Sequence, residues 1–327
     1  MVDRSWRLMI LQGSPLHDVP SLSARLGVDL YVKRDDLLPI IGGGNKARKI
    51  RGFVEKAEAL GCDALITTGG VQSNHARVTA LEAAARGWCC SLVLHGSSQA
   101  LQDPRGNLRL MLLTGANVTI VSANAVGQKM QVVEQQLRAD GHKPLVIPGG
   151  GHSPIGALAY ADAVSELKSQ CEQLHWCPDW LVIASGTGTT QAGLIVGLER
   201  LAWRLNVVGI SVARRNPRGA AIVREACSKL RKHMGLCEHE TRVDFRDGWV
   251  GEGYERADLR VWKTIHMAAE LDGLVLDPTY TGKAFLAMTD MIACGEIHEG
   301  DSVLFWHTGG LMNLLAADPS DGILSES

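Results

Sequence analysis

The chain has 327 residues, of which 46% are hydrophobic and 21% are charged, so it is long enough for a large core and about two domains. Its 33 basic and 35 acidic residues give a formal net charge of −2, which excludes an overall field that would attract nucleic acid or an anionic membrane. No apolar stretch is long enough to span a bilayer, and residues 1–15 lack the apolar run of a secretory signal, so we predict a cytoplasmic protein.

Short β-branched runs alternate with segments of helical periodicity from residue 46 onward, and glycine falls where the helices should end. The predicted strands are 64–68, 89–94, 118–121, 145–147, 181–184, 207–212 and 302–306. The predicted helices include 46–60, 74–86, a helix that ends near 140, and one that begins at 154. A turn at Gly69-Gly70 and a cap at Ser73 or Asn74 precede the second of these helices. This order predicts an α/β fold with parallel sheets flanked by helices.

The segment 231–256 is charged and has no clear period, which predicts a surface excursion that leads to the edge of an active site. Within it, His233, Cys237 and His239 approach the spacing of zinc ligands. No second cluster completes a tetrahedral set, so we predict no metal site and interpret them as the solvated end of a helix. The eight cysteines form no CxxC pair, which suits a reducing compartment.

Two glycine-rich loops open predicted helices. Gly42-Gly43-Gly44 leads into a first turn that holds Lys46 and Lys49, where a cation is disfavoured by about 0.3–1 kcal/mol. The two lysines therefore indicate an anion or a covalent task, with a solvated pair as the alternative. The segment 184–193 follows a strand, as an anion-binding loop does, but the third glycine of a dinucleotide fingerprint would fall at Gln191. This loop favours a single phosphate, and a nicotinamide-dependent dehydrogenase is the weaker interpretation.

Two further polar loops complete a set that resembles the fold-type II enzymes dependent on pyridoxal 5′-phosphate (PLP). The resemblance is to the branch that contains D-cysteine desulfhydrase and 1-aminocyclopropane-1-carboxylate (ACC) deaminase, and it runs from about residue 13 to 310. The motifs that carry it are Lys33-Arg34-Asp35-Asp36, Gly43-Gly44-Asn45-Lys46 with Arg48-Lys49, Gln72-Ser73-Asn74-His75, Asp277-Pro278 with Tyr280-Thr281-Gly282-Lys283, and His307-Thr308-Gly309-Gly310. It implies two open, twisted, parallel-sheet α/β domains with PLP between them. Residues 1–48 and 155–327 would form the large PLP-binding domain, and 49–154 the small one.

The resemblance implies roles for particular residues. Lys46 matches the Schiff-base lysine, a task that a lowered amine pKa would suit. The residues implied for the cofactor's phosphate are Lys49, Thr187, Gly188, Thr189 and Thr190. Asn74 would lie beside the cofactor's 3′-oxygen, and Thr308 at its pyridine nitrogen. The residues implied for binding or reaction of the substrate are Ser73, Asn74, His75, Tyr280 and Tyr254, and for either tyrosine the alternative is a buried structural hydroxyl.

Three positions distinguish the two activities of this branch. ACC deaminases of this type carry glutamine, glutamate and leucine where this chain has His75, Thr281 and Thr308, so the resemblance favours D-cysteine desulfhydrase. We therefore expect α,β-elimination of D-cysteine, or of a related β-substituted D-amino acid, to pyruvate, ammonia and hydrogen sulfide. The alternatives are ACC deamination, elimination of sulfite from L-cysteate, and a catalytically silent PLP-binding protein. The resemblance also implies a small amino-acid substrate and a homodimer.

Overall fold

A computed structural model describes residues 13–318 of the chain. Most of the segment 1–15, for which we predict no secretory signal, therefore lies outside the described residues. The strands are β1 (Leu16–Asp18), β2 (Asp29–Arg34), β3 (Ala64–Gly70), β4 (Cys89–His95), β5 (Asn117–Val121), β6 (Pro144–Val146), β7 (Trp180–Ser185), β8 (Asn206–Ser211), β9 (Asp244–Arg246) and β10 (Ser302–His307). The helices are α1 (Pro20–Leu26), α2 (Asn45–Ala59), α3 (Asn74–Arg86), α4 (Gly106–Leu113), α5 (Val126–Ala139), α6 (Pro154–Leu174), α7 (Thr189–Arg200), α8 (Arg218–Met234), α9 (Leu259–Asp272), α10 (Thr281–Ala293) and α11 (Leu311–Leu314).

The described strands form two sheets. The larger has the order β1-β2-β10-β7-β8-β9, and the smaller has the order β5-β4-β3-β6. Every neighbouring pair is parallel except β1 and β2, which run antiparallel at the edge of the larger sheet. This confirms the predicted α/β class with parallel sheets. The smaller sheet lies inside the predicted small domain, while the exact boundaries at 48/49 and 154/155 stay predictions.

Helices cover both faces of the sheets, and this explains the continuous apolar runs in the central strands. Leu181, Val182 and Ile183 of β7 are all fully buried, as expected for a parallel strand with both faces covered. The helix-ending and capping signals also hold. Ser73 Oγ accepts a hydrogen bond from the backbone N–H of Ala76 and so caps α3, as predicted.

Two expectations about local structure are wrong. Gly69 and Gly70 are the last residues of β3, paired with Leu94 and His95, and do not form the predicted turn. The segment 231–256 is not wholly irregular, because α8 extends into it and β9 pairs with β8 at the sheet edge. A strand of three residues is too short to show an alternating pattern, so its sequence carries no signal.

The remaining sequence features are accounted for by packing and surface contacts. All eight cysteines are free thiols, and Cys62, Cys90, Cys171 and Cys227 are buried. His239 Nε2 lies 3.3 Å from Glu199 Oε1, and residues 13–318 contain no group of three or more His, Cys, Asp or Glu side chains that could hold a metal ion. Over the same residues, no helix is both long and apolar enough to cross a bilayer.

Candidate active site

The carboxyl ends of strands from both sheets open into one cavity of about 850 Å³. Ligands of open α/β sheets bind at this end of the strands, so the position is the expected one. The predicted site residues that line the cavity are Lys46, Ser73, Asn74, His75, Thr187, Gly188, Thr190, Tyr254, Tyr280 and Thr308. Lys49 and Thr189 are not among the lining residues; both are buried.

The start of α2 fixes Lys46 relative to Thr308. The backbone N–H of Asn45 donates to the carbonyl of Thr308 at 2.9 Å, and the N–H of Gly44 donates to the carbonyl of Asp35 at 2.7 Å. Gly44 has a φ of +86°, and a Cβ there would lie 2.6 Å from the Thr308 carbonyl oxygen. Glycine is therefore required for this close approach. The contact fixes the distance between the lysine and the residue predicted at the pyridine nitrogen.

The two lysines of α2 are in unusual surroundings. Lys46 Nζ donates to the carbonyl of Gly150 at 3.2 Å, and burial lowers its pKa to about 8. Lys49 is fully buried, and its Nζ has no hydrogen-bond partner among residues 13–318. Burial, followed by the charge of Lys46, lowers the pKa of Lys49 well below its usual value. A buried amine with no acceptor requires an anion to be stable in its charged form, as the cofactor's phosphate would provide.

The loop after β7 forms an anion cradle at the N-terminus of α7. Gly188 is the N-cap residue, with a φ of +78°, and the free N–H groups of the first helical turn follow it. Thr189 Oγ1 lies 2.6 Å from His152 Nδ1 and 3.1 Å from Thr187 Oγ1. Thr190 Oγ1 accepts a hydrogen bond from Asn45 Nδ2 at 3.2 Å. Sequence reasoning missed His152, which follows a glycine run after β6 that could have drawn attention to it.

Three asparagines hold one another at the start of α3. Asn74 Nδ2 donates to Asn313 Oδ1 at 2.6 Å, and Asn74 Oδ1 accepts from Asn107 Nδ2 at 3.1 Å. Asn313 Nδ2 in turn donates to the carbonyl of Gln72 at 3.2 Å. The amide of Asn74 is thereby oriented by residues of α4 and α11. No spacing in the sequence points to Asn107 or Asn313, because they lie 33 and 239 residues from Asn74.

His75 is a neutral imidazole in this site. Its Nε2 lies 3.0 Å from Thr67 Oγ1, and the side chain is 1% exposed. Burial, followed by the charges of Lys46 and Lys49, lowers its pKa well below the usual value. His75 therefore adds no positive charge to the cavity.

Tyr254 and Tyr280 face each other across the cavity wall. Their hydroxyl groups are hydrogen-bonded, and their rings meet edge to face with centroids 5.9 Å apart. Burial raises the pKa of both phenols, so both remain protonated at neutral pH. Lys283 Nζ donates to the carbonyls of Val250 and Gly253 at 2.8 Å and so holds the segment that carries Tyr254.

Two threonines in the motifs that carry the resemblance differ in their surroundings. Thr308 lines the cavity, whereas Thr281 Oγ1 donates to Asp277 Oδ1 at 2.7 Å and is fully buried. The Asp277 carboxylate also accepts from the backbone N–H groups of Thr279, Tyr280 and Thr281. Asp277 therefore orders the turn before α10, and no carboxylate is among the described residues that line the cavity.

Several residues that line the cavity were not predicted as site residues. They lie at or after the ends of strands whose positions were predicted. His95 ends β4, while Arg214 and Arg218 follow β8. Arg214 Nη1 donates to the carbonyl of Gly186 in the anion cradle. His95 and Arg214 lie at the carboxyl ends of predicted strands, and that position is the sequence signal that points to them.

The site fits PLP in its charge and its donors. A buried amine with a pKa of about 8 is available for covalent attachment at Lys46. The N–H groups at the start of α7 and the unpartnered amine of Lys49 suit a phosphate dianion. The hydroxyl of Thr308 suits a pyridine nitrogen that needs one hydrogen-bonding group.

Comparisons with known proteins agree with this fit. The family model described as "Pyridoxal-phosphate dependent enzyme" matches residues 8–309. A Pyrococcus abyssi protein named "Putative 1-aminocyclopropane-1-carboxylate deaminase" is 38% identical over 301 residues, which cover 91% of this chain and 89% of the relative. A Salmonella newport (strain SL254) protein named "D-cysteine desulfhydrase" is 34% identical over 314 residues, which cover 94% of each chain.

Solved structures show the same similarity. The crystal structure of an ACC deaminase homologue superposes with a TM-score of 0.87 at 34% identity and covers 96% of this chain and 93% of its own. Threonine deaminase isoform 2 from Solanum lycopersicum, in its processed form, has a TM-score of 0.65 at 14% identity and covers 94% of this chain and 85% of its own. The second likeness concerns the fold alone.

Proposed function

Since this chain belongs to the family of pyridoxal-phosphate-dependent enzymes and is a lyase of the ACC deaminase and D-cysteine desulfhydrase type, we propose that it catalyses α,β-elimination of D-cysteine or a related β-substituted D-amino acid. D-cysteine and water would give hydrogen sulfide, pyruvate and ammonia. The names of the relatives point to both activities of this type, so the choice between them rests on the residues of the cavity.

The observation that carries the proposal is the neutral end of the cavity at Thr308. Thr308 offers a hydroxyl, and none of the described lining residues carries a carboxylate that would keep a pyridine nitrogen protonated. Such a ring is the weaker electron sink. It suffices when a good leaving group such as thiolate departs, whereas opening an unactivated cyclopropane makes the greater demand. This favours elimination from D-cysteine over ACC deamination.

Residues of both sheets would hold the cofactor. Lys46 would attach it covalently, the phosphate would bind at Thr187, Gly188, Thr189, Thr190 and Lys49, and Asn74 would face its 3′-oxygen. When bound, PLP supplies the electron sink that makes the substrate's α proton acidic. The N-terminus of α3 would bind the substrate's carboxylate through the free N–H groups of Asn74 and His75 and through the hydroxyl of Ser73.

The proton transfers are assigned to Lys46 and Tyr280. With its pKa lowered to about 8, the amine of Lys46 is able to accept the α proton near neutral pH. Tyr280 remains protonated and is therefore able to donate to the departing thiolate, with Tyr254 bound to its hydroxyl. Ser73 is the second candidate donor, since it lines the same cavity and carries a hydroxyl.

A product assay tests the proposal directly. The PLP-loaded protein is incubated separately with D-cysteine, L-cysteine, L-cysteate and ACC, and pyruvate and 2-oxobutyrate are followed. We expect pyruvate from D-cysteine at a rate well above the other substrates, and none from the K46A variant. Formation of 2-oxobutyrate from ACC alone would favour ACC deamination, and sulfite with pyruvate from L-cysteate would favour the sulfo-lyase. No product from any of the four would indicate a silent PLP-binding protein.

Three further proposals concern the whole protein. The eight free thiols support the cytoplasm as its compartment. The resemblance supports a homodimer, which light scattering on the PLP-loaded protein would test. It also supports a large domain of residues 1–48 and 155–327 and a small domain of 49–154, which limited proteolysis would test at their junctions.

A further inference from the structure

The segment that carries Tyr254 continues into an unusual residue. Glu255 has a φ of +61° and is one of three non-glycine residues with positive φ among residues 13–318. Residues with a Cβ rarely adopt this conformation, and where they do it often reflects a functional constraint. Two positions earlier, Gly253 also has a positive φ, so the backbone is already turned sharply before Glu255.

This turn places the Glu255 carboxylate at the rim of the cavity. A Cβ added to Gly70 would lie 3.8 Å from Glu255 Oε1 and 3.5 Å from His95 Cε1. Gly70 and His95 line the cavity, and Tyr254 lines it next to Glu255. No hydrogen bond or ion pair joins Glu255 to any residue in the range 13–318, so its charge acts on whatever enters beside it. The negative charge of Glu255 helps raise the pKa of both Tyr254 and Tyr280, which indicates that it acts on the same end of the cavity.

The cavity is also lined by cationic side chains. Arg214 and Arg218 line it beside the anion cradle, and Lys49 is buried near that cradle. The phosphate is expected at the cradle, and the substrate's carboxylate at the N-terminus of α3. The proposed function assigns Tyr280 to the departing group, so we place the substrate's β-substituent beside Tyr254 and Tyr280, next to Glu255.

From this placement we propose that Glu255 is a specificity-determining residue that excludes anionic β-substituents and admits neutral ones. The inference rests on the proposed function, because it assumes that an amino acid binds with its side chain at the tyrosine end. Glu255 is exposed at the cavity rim, and a like charge placed beside it at the binding site is repelled, so we expect an effect on binding of at least about tenfold. The selectivity would separate D-cysteine from sulfonate or carboxylate analogues of similar size.

The test uses two ligands of equal shape and different charge. D-Asparagine and D-aspartate are titrated into the PLP-loaded protein, and binding is followed by calorimetry and by the cofactor's absorbance. We expect the protein to bind D-asparagine at least about tenfold more tightly than D-aspartate, and E255Q to reduce the ratio to within about threefold. E252Q is the matched control, because Glu252 lies in the same exposed segment and lines the same neighbouring hollow as Glu255. Of the residues described, only Glu255 and His95 are the close neighbours of Gly70, so E252Q should keep the full ratio.

Each outcome decides the inference. A binding ratio that is unchanged in E255Q overturns the inference. So does a PLP-loaded protein that binds neither D-asparagine nor D-aspartate. If E255Q does not fold, the binding ratio of the unaltered protein is measured at increasing salt concentrations instead. The ratio should fall as the salt concentration rises, and a constant ratio would contradict the inference. Pyruvate formation from D-cysteine is measured in parallel, so loss of the proposed reaction with retention of the binding ratio identifies a failure of the proposed function alone.

Discussion

The amine of Lys46 has one hydrogen-bond acceptor, the carbonyl of Gly150, and is otherwise desolvated by the cavity wall. Desolvation disfavours the charged form of an amine, which is why its pKa falls from 10.5 to about 8. A lysine in water at pH 8 is neutral in about one molecule in 300, whereas this lysine is about half neutral there. Burial therefore suits Lys46 for the proposed covalent attachment without a neighbouring base.

We expect the rate of covalent PLP attachment to the cofactor-free protein to rise with pH and to level off just above pH 8, because only the neutral amine reacts. The folded-state pKa is below the unfolded-state value, so the unfolded chain binds more protons between about pH 8 and 10.5. The stability of the cofactor-free protein should therefore rise across that interval. Absorbance of the attached cofactor and urea unfolding measure the two effects.

The exposed Lys56 on the same helix provides the control for this pH profile. The K56Q variant should keep the plateau just above pH 8, while K46A should show no attachment. A rate that continued to rise to pH 10 or beyond would contradict a lowered pKa at Lys46.

At the residue scale, the sequence could predict what lies within a motif. The Ser73 cap is specified by its immediate neighbours. The glycine run drew attention to Lys46, and the resemblance supplied its proposed role. Asn107, Asn313 and His152 act on Asn74 and Thr189 across contacts between distant segments. Such contacts depend on how the elements pack, which single-sequence patterns do not encode.

At the scale of elements, a buried carboxylate joins four parts of the larger sheet and its helices. Asp35, which follows β2, accepts hydrogen bonds from Arg48 of α2, Tyr160 of α6, Trp306 of β10 and Ser14. Its backbone carbonyl also receives the N–H of Gly44. The Lys-Arg-Asp-Asp motif is therefore structural at this position, because Asp35 fixes the start of α2, the helix that carries Lys46.

Replacing this carboxylate should destabilise the whole protein. We expect D35N to lower the free energy of unfolding by about 3–5 kcal/mol, because it leaves the buried guanidinium of Arg48 with only part of its partners. The exposed pair of Asp103 and Arg105 provides the control, and D103N should cost less than about 1 kcal/mol. Urea unfolding of both variants measures the difference, and equal costs would show that the Asp35 network is not a structural centre.

Element prediction succeeded where a strand or helix is long enough to show its own period. The strands β7 and β10 and the helix α3 lie within two residues of their predicted limits, and α6 begins at the predicted residue 154. By contrast, β9 has three residues and α11 has four, and elements that short carry no periodic signal. They form because neighbouring strands and loops provide their hydrogen bonds.

At the scale of the whole molecule, the order of the strands within each sheet could not be predicted from the sequence. β10, from the end of the described chain, pairs on one side with β2 and on the other with β7. This insertion brings Thr308 next to the start of α2, although 263 residues separate Asn45 from Thr308 in the chain. The cavity is therefore complete only when β10, the last strand in the described part of the chain, is in place, and loops of both sheets line it.

Because loops of both sheets line one cavity, removal of PLP should loosen both sides together. We expect amide hydrogen exchange to rise at 68–75 on the smaller sheet and at 186–190 and 308–310 on the larger one, since a ligand bound only to the folded state stabilises every element that contacts it. Inorganic phosphate, added to the cofactor-free protein as a control, should restore protection at 186–190 alone. An increase confined to one sheet after PLP removal would mean that the cofactor contacts only that side.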